Sequence, residues 1–466
     1  MKSHTSSVEP IHAGPPDISL RALGRLATPI FVANLAVIGS ATIDTMMAGR
    51  LGSEHLAAVA VGNASAVMIL LSLVGILQGL SPIVGNLFGA RRYERIGFEL
   101  VQSFWLSILV TIIGAGLMLW TDLWISMGNV SGNVAEMTTV YLIGAALGVG
   151  GAVGSRVFIA LNAAINRPKV TMWVSLLMLA LKAPINAVFM YGLFGLPALG
   201  GGGCGISLAF MGWIGFAIYF YIWKKDKVYD KFRPKRFYWP EWSSLKEHLH
   251  LGIPIGLSSF FEVSSFTLMA IFIARLGTVS VAAHQIVANI TATFYMIPLS
   301  IGIAVSVMVS QCVGANYPTH ARTIMYRAYK TAVLLASACA LLLFFSRQWL
   351  VSLYTADEAV ASLACTLLIF GVLYHVTDAA QSVANFSMRG YRVTVLPMII
   401  FGVLLWGVGL GGGLYFGFSG EAFGGPYGAI GFWGSTGSAL TLAGIILTIM
   451  SVRIANRRIA SPSPVR

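Results

Sequence analysis

Twelve apolar runs dominate this chain, beginning near residues 25, 57, 98, 135, 169, 203, 250, 281, 324, 359, 393 and 428. A helix needs about 20 mostly apolar residues to cross the hydrocarbon of a bilayer. Inside hydrocarbon every backbone N–H and C=O must find an internal partner, which a helix provides. Of the 466 residues, 57% are hydrophobic and only 10% charged, whereas soluble domains carry about 25% charged residues. A soluble fold is excluded. The expectation is an all-α integral membrane protein with 12 transmembrane helices.

A formal charge of +13 would suggest nucleic acid in a soluble chain, but the placement of the charges gives another reason. Of the 30 Lys and Arg residues, Arg50, Arg275 and Arg347 fall on one side, Lys182 lies within a run, and all the others fall on the opposite side. Basic residues in short loops mark the cytoplasmic face. Both termini are therefore expected in the cytoplasm, with the chain in an inner (plasma) membrane and no nucleic-acid partner. The segment from Met1 to Leu20 lacks a continuous apolar stretch, so it predicts a disordered tail rather than a cleavable signal peptide. Four cysteines without CxxC spacing imply neither a metal site nor a disulfide framework.

The chain repeats itself at a fixed offset of 225 in the numbering. Pro29 falls on Pro254, Arg50-Leu51-Gly52 on Arg275-Leu276-Gly277, Ala57-Ala58 on Ala282-Ala283, and Gly89-Ala90 on Gly314-Ala315. Six spans separate the copies, an even number, so both halves insert with the same orientation. This predicts two six-helix bundles related by an axis along the membrane normal, an arrangement found among transporters. The expected boundaries are a tail over 1–20, a first bundle over 21–223, a basic linker over 224–247, a second bundle over 248–455 and a tail over 456–466. The linker reads as a positively charged cytoplasmic connection with interfacial aromatics.

Three carboxylates sit deep inside apolar runs: Asp44, Glu262 and Asp378. An ionised side chain at the bilayer centre costs roughly 2.5–3.5 kcal/mol on an insertion scale, so such groups mark ion or substrate pathways. None of the three obeys the repeat. Asp44 maps to Met269, Glu262 to Val37 and Asp378 to Val153. A charge required by the scaffold would occur twice, so these point to chemistry.

Around Asp378, Tyr374 and Gln381 share one helical face. A carboxylate, a phenol and an amide offer oxygen ligands for a small hard cation such as Na⁺, and a buried carboxyl equally suits a proton. Gln285 and Asn289, one turn apart, are candidates to line the same cavity as Glu262, while His284 reads as a packing histidine. Asp44 lies close enough to Arg50 in sequence for an interfacial salt bridge. Lys182 has Asn186 one turn away and is an alternative partner for Asp44, an arrangement that would partly neutralise the first-half cavity. No GxxxxGK[ST] phosphate loop and no nucleophile–His–acid or HExxH pattern is present, so neither ATP-driven transport by this chain nor an enzyme is expected.

The strings ATIDTMMAGRLG, GIPIGLSSFFEVSSF, AAHQI, LYHVTDAAQSVANFSMRGYR and LGGGGCGIS resemble the NorM-type branch of the multidrug and toxic compound extrusion (MATE) family. The resemblance implies a V-shaped fold of two six-helix bundles. It also implies secondary active efflux of organic, mostly lipophilic cationic compounds in exchange for Na⁺ or H⁺ by alternating access, with no other cofactor. Asp44 matches the first-lobe acidic position, with Asn186 and Lys182 beside it at a substrate-facing site. Glu262 and Asp378 match the cation pair, holding Na⁺ if the protein is sodium-coupled, and Tyr374 matches the nearby tyrosine; Gln285, read from its spacing on the next span, is a further candidate to complete the shell. Lys182 is the departure, because the branch usually has an uncharged polar residue there. The expected partners are small-molecule lipophilic cations and the bilayer, with the protein acting as a monomer. The alternatives are a lipid-linked precursor flippase of related two-lobed fold, and a channel.

Overall fold

The computed structural model describes residues 15–128 and 130–460. Most of the expected N-terminal tail, 1–14, and the C-terminal segment 461–466 lie outside them. Twelve helices among the described residues are long and apolar enough to cross a membrane. In chain order they are α1 (Leu20–Leu51), α2 (Ser53–Gly89), α3 (Tyr93–Leu119), α4 (Gly132–Ala164), α5 (Pro168–Tyr191) and α6 (Gly200–Lys225). The second half comprises α7 (Trp242–Ala274), α8 (Thr278–Gly314), α9 (Pro318–Ser352), α10 (Glu358–Gly390), α11 (Val395–Phe418) and α12 (Ala429–Ala460). The described residues contain no β-strand.

Helices extend past the apolar runs wherever polar residues continue the pattern. The linker is accordingly shorter than the sequence suggests, because α6 runs on to Lys225 and α7 already begins at Trp242. Several of its charged residues are engaged by the protein itself. Arg233 donates to the Trp223 and Lys224 carbonyls, Arg167 pairs with Asp226 at 2.6 Å, and Lys235 pairs with Glu94. The Val228 N–H and then Arg167 hold the Asp226 carboxyl below its ordinary value.

The internal repeat is written into the backbone. Moved along the chain by the repeat offset, both ends of α2 fall on those of α8, and the start of α3 falls on that of α9. Gly52 and Gly277, at the same offset, both take the positive φ that lets the chain turn from one helix into the next (135° and 106°). A side chain is strained there. Arg91 and Asn316 are likewise both left-handed. The two bundles meet at a pseudo-twofold interface near the face that carries the linker, here called the linker face. A Cβ on Gly89 would lie 2.0 Å from the Gln311 carbonyl oxygen, and a Cβ on Gly314 would lie 1.9 Å from that of Asn86. Each contact is the repeat copy of the other. Gly75 meets Gly256, and Gly252 meets Ile76, just as closely. Small residues allow such approach, and van der Waals packing then holds helices that lipid cannot drive together. Asn34 donates to Ser300 at 3.4 Å about halfway along α1. These close approaches all lie between the linker face and mid-membrane. Beyond them, toward the far face, Val37, Met46, Gln285 and Asn289 are exposed.

Gly252→Val places a branched side chain against the Ile76 backbone and is expected to destabilise the protein by about 1–3 kcal/mol, the usual cost of overpacking. Gly116 has open space around its Cβ position, so Gly116→Ala should be neutral or slightly stabilising. Thermal unfolding of the two purified variants in detergent checks the contrast.

Candidate functional site

In the first bundle the buried acidic site is an ion pair. Asp44 on α1 is buried, and its Oδ1 lies 2.9 Å from Lys182 Nζ on α5. Asn186, one turn beyond Lys182, donates to the same oxygen at 2.6 Å. Helical spacing puts Lys182 and Asn186 on one face, and the packing of α1 against α5 brings Asp44 to it. Lys182 is 1% exposed, so its charge is answered inside the bundle rather than by snorkelling to water. Arg50 is exposed and makes no bridge to Asp44, which corrects the interfacial pairing that sequence proximity suggests. Tyr141 of α4 and Cys204 of α6 lie within electrostatic reach of Asp44. Neither was legible as part of the site, since a tyrosine and a cysteine in apolar runs are ordinary core residues.

In the second bundle the carboxylates of Glu262 on α7 and Asp378 on α10 are close enough to feel each other's charge. Tyr374, one turn before Asp378, is buried with it, and its ring stacks on Trp433 of α12 at 6.4 Å between centroids. His284 also packs on Trp433, in agreement with its reading as a packing residue. Gln381 is buried, with its carbonyl oxygen unpaired. Gln285 is exposed, and no hydrogen bond joins it to either carboxylate among the described residues.

Two residues belong to this neighbourhood that the sequence reading did not place there. Tyr295 of α8 stands beside Glu262 and within reach of Asp378. Arg389, read as one of the solvent-side cations, lies on the linker face but is buried (7% exposed). Its guanidinium sits 4.3 Å over the Phe386 ring, and Nη1 donates to Gln78 Oε1 of the other bundle at 3.0 Å. It is also in electrostatic reach of Glu262. The internal repeat holds the only available signal, because alanine occupies the corresponding turn of α4 (Ala163 and Ala164).

Where it packs on α7, α11 loosens into a π-helical stretch over Gly402–Gly411, a deviation often found at functional sites. Trp406 from this stretch donates to Ser264 Oγ at 3.2 Å and contacts the rings of Phe260 and Phe261. An aromatic cluster therefore joins α7 to α11. Among the described residues no three His, Cys, Asp or Glu side chains converge as a metal site.

Two helical bundles in parallel repeat, with unmatched carboxylates buried in each, define a transporter-like membrane protein. A family model described as MatE matches residues 29–188 and again 254–412, once in each half. The chain is 38% identical to a probable multidrug resistance protein NorM of Aromatoleum aromaticum, covering 95% of this chain and 96% of that protein. It is 31% identical to the multidrug resistance protein MdtK of Yersinia pestis, over 93% and 95%. An outward-facing structure of a multidrug resistance MATE family transporter superposes with a TM-score of 0.85 at 18% identity, covering 94% of this chain and 96% of that one. A eukaryotic MATE transporter superposes with a TM-score of 0.84 at 18% identity, over 94% and 97%. The chain belongs to the MATE family of membrane transporters, in its NorM-type branch, and is not an enzyme.

Removing one member of a buried ion pair leaves the other uncompensated, typically at a cost of about 3–5 kcal/mol, whereas replacing both is often neutral. Lys182→Met is therefore expected to lower the thermal midpoint sharply, and Lys182→Met with Asp44→Asn to restore most of it. Calorimetry on the two purified proteins distinguishes this from a lysine that contributes nothing.

Proposed function

We propose that this protein is a secondary active multidrug efflux antiporter of an inner (plasma) membrane, with both termini cytoplasmic, exporting lipophilic, mostly cationic compounds in exchange for Na⁺ or H⁺. The single observation that carries the reading is the asymmetry of charge between two like bundles. In the first, Asp44 is matched by Lys182 at 2.9 Å. In the second, Glu262 and Asp378 lie near each other, and neither makes a salt bridge among the described residues. Two carboxylates together in a region of low dielectric repel each other and attract a cation. Glu262, Asp378 and Tyr374 hold the coupling ion in this mechanism, with Tyr295 beside them and Gln285 facing the open side. The relatives' printed names support multidrug export.

The close approaches between bundles on the linker face correspond to a state closed toward the cytoplasm and open outward. In that state the coupling cation enters from outside and neutralises the pair. Neutralisation removes the field that retains a cationic drug, and the drug departs outward. The bundles then rock, the ion leaves to the cytoplasm, and a new drug binds. One inward charge supplies about 2.3 kcal/mol per 100 mV. The aromatic rings of Phe260, Phe261 and Trp406 give lipophilic cations a cation–π surface worth about 0.5–2 kcal/mol. The protein works as a monomer in this scheme.

Glu262→Gln and Asp378→Asn should each reduce gradient-driven export of an ethidium-like dye from proteoliposomes by at least tenfold, with insertion unchanged. Separate imposition of a Na⁺ gradient and a pH gradient identifies the coupling ion. Undiminished export by both variants would overturn the assignment, and wild-type export indifferent to both gradients would favour a flippase.

A further inference from the structure

One cation within the first bundle has no counter-charge among the described residues. Arg156 lies on α4, well before that helix ends at Ala164, about 12 Å along the axis from the linker face. It is exposed, although α4 is the most enclosed of the twelve spans. Its guanidinium makes no salt bridge among the described residues. The titratable group within electrostatic reach of it is the Tyr219 phenol of α6, and no carboxylate is. Lys182, by contrast, is held by Asp44 at 2.9 Å.

Helical period fixes where the side chain points. Ile143 and Leu147, 43% and 68% exposed, mark the lipid side of α4. Arg156 follows Leu147 by about two and a half turns, which puts it on the opposite side. Its neighbours on either flank are used in packing. Val157 and Ala160 share an apolar cluster with Leu80 and Val84 of α2, and Ile159 packs with Val174 of α5. Arg156 therefore points into the gap between α2 and α5 that α1 bridges. The repeat says what kind of place this is. Moved by the offset, Val149, Val153 and Arg156 fall on Tyr374, Asp378 and Gln381, and Val37 falls on Glu262. The face that carries acidic groups in the second bundle thus carries valines and a guanidinium in the first. An ionised arginine inside a span is costly, and such residues mark substrate and ion pathways.

We propose that Arg156 is the recognition residue of an anion subsite in the first bundle, which takes the carboxylate of an amphiphilic organic acid. It rests on the reading that substrates occupy the space between the bundles, and it adds a substrate class to that reading. The planar guanidinium presents a fork of N–H donors that matches a carboxylate with two parallel hydrogen bonds. Low dielectric strengthens that pairing. Asp44 does not compete for Arg156, because Lys182 and Asn186 already engage it. The apolar body of such a ligand finds Val149 and Val153 on the same face of α4. The two bundles then divide the work by sign: the second receives cationic groups and the first receives an anionic one.

Tetramethylrhodamine and its methyl ester share a fluorophore and differ by one carboxylate, so they isolate this contact. Their binding to the full chain in phosphatidylcholine nanodiscs is followed by fluorescence anisotropy, with empty discs subtracted, for wild type, Arg156→Gln and Arg156→Lys. Arg156→Gln should weaken binding of the acid dye about tenfold, as expected for loss of a hydrogen bond to a charged group. Binding of the ester should be unchanged, which also shows that the variant is folded. Arg156→Lys should fall between, since it keeps the charge and loses the fork. Equal weakening of both dyes, or of neither, overturns the subsite. So does acid-dye binding that phosphatidylglycerol abolishes in wild type but leaves intact in Arg156→Gln, because a lipid headgroup then holds the arginine. Wild-type protein that binds the ester but not the acid also overturns it and leaves cation export standing. Wild-type protein that binds neither dye sinks the multidrug reading, and the subsite with it.

Discussion

A charge inside hydrocarbon must be answered by another charge, by hydrogen bonds or by water, and the organisation of this protein follows from how each of its buried charges is answered. Lys182 and Asp44 answer each other at 2.9 Å, with Asn186 on the same oxygen. Glu99 is surrounded by three donors. Arg389 reaches across to Gln78 and lies over Phe386. Asp378 is the exception, since the charge it feels is that of Glu262, which in turn is reached by Arg389 and Tyr295. Neither carboxylate makes a salt bridge among the described residues, which is the difference between the second bundle and the first.

The duplication separates scaffold from chemistry without any outside reference. Features that occur in both halves serve the fold: the glycine turns at Gly52 and Gly277, and the reciprocal approaches of Gly89 to Gln311 and Gly314 to Asn86. Features that occur once are those with a cost, namely Asp44 with Lys182, Glu262 with Asp378, Arg389, and Glu99 with His248. Their repeat mates are Met, Val, Gly, Ala, Ile and Leu. Since the fold closes equivalent junctions without them, their burial is explained by what they do. They also divide by depth. The carboxylates Asp44, Glu262 and Asp378 lie toward mid-membrane, whereas Arg389–Gln78 and Glu99–His248 lie at the linker face, where the bundles touch.

Much of the site was legible because charge in an apolar run is a strong signal. Asp44, Glu262, Asp378 and Lys182 all stand out against Leu, Ile and Val, and i to i+4 spacing ties Asn186 to Lys182 and Tyr374 to Asp378. The residues that went unread lack that contrast. Tyr141, Cys204 and Tyr295 are ordinary members of a span. Glu99 and Arg389 sit close to the ends of helices, where charges usually face water, and nothing local distinguishes a buried one. Arg50 shows the converse, a plausible partner for Asp44 by sequence that tertiary packing does not select.

By itself the sequence determined the number of spans, their common orientation in the two halves and the position of each acidic residue along its helix. These follow from one-dimensional quantities: hydropathy over the length of a membrane span, helical period and a constant repeat offset. Tertiary structure alone decided which charges meet. Helix rotation and the close approach of α1 to α5, α2 to α7 and α3 to α7 set whether a side chain faces lipid, a cavity or a partner far away in the chain. Distances of a few ångströms between distant residues, on which Coulomb energy depends, are not encoded in any local pattern.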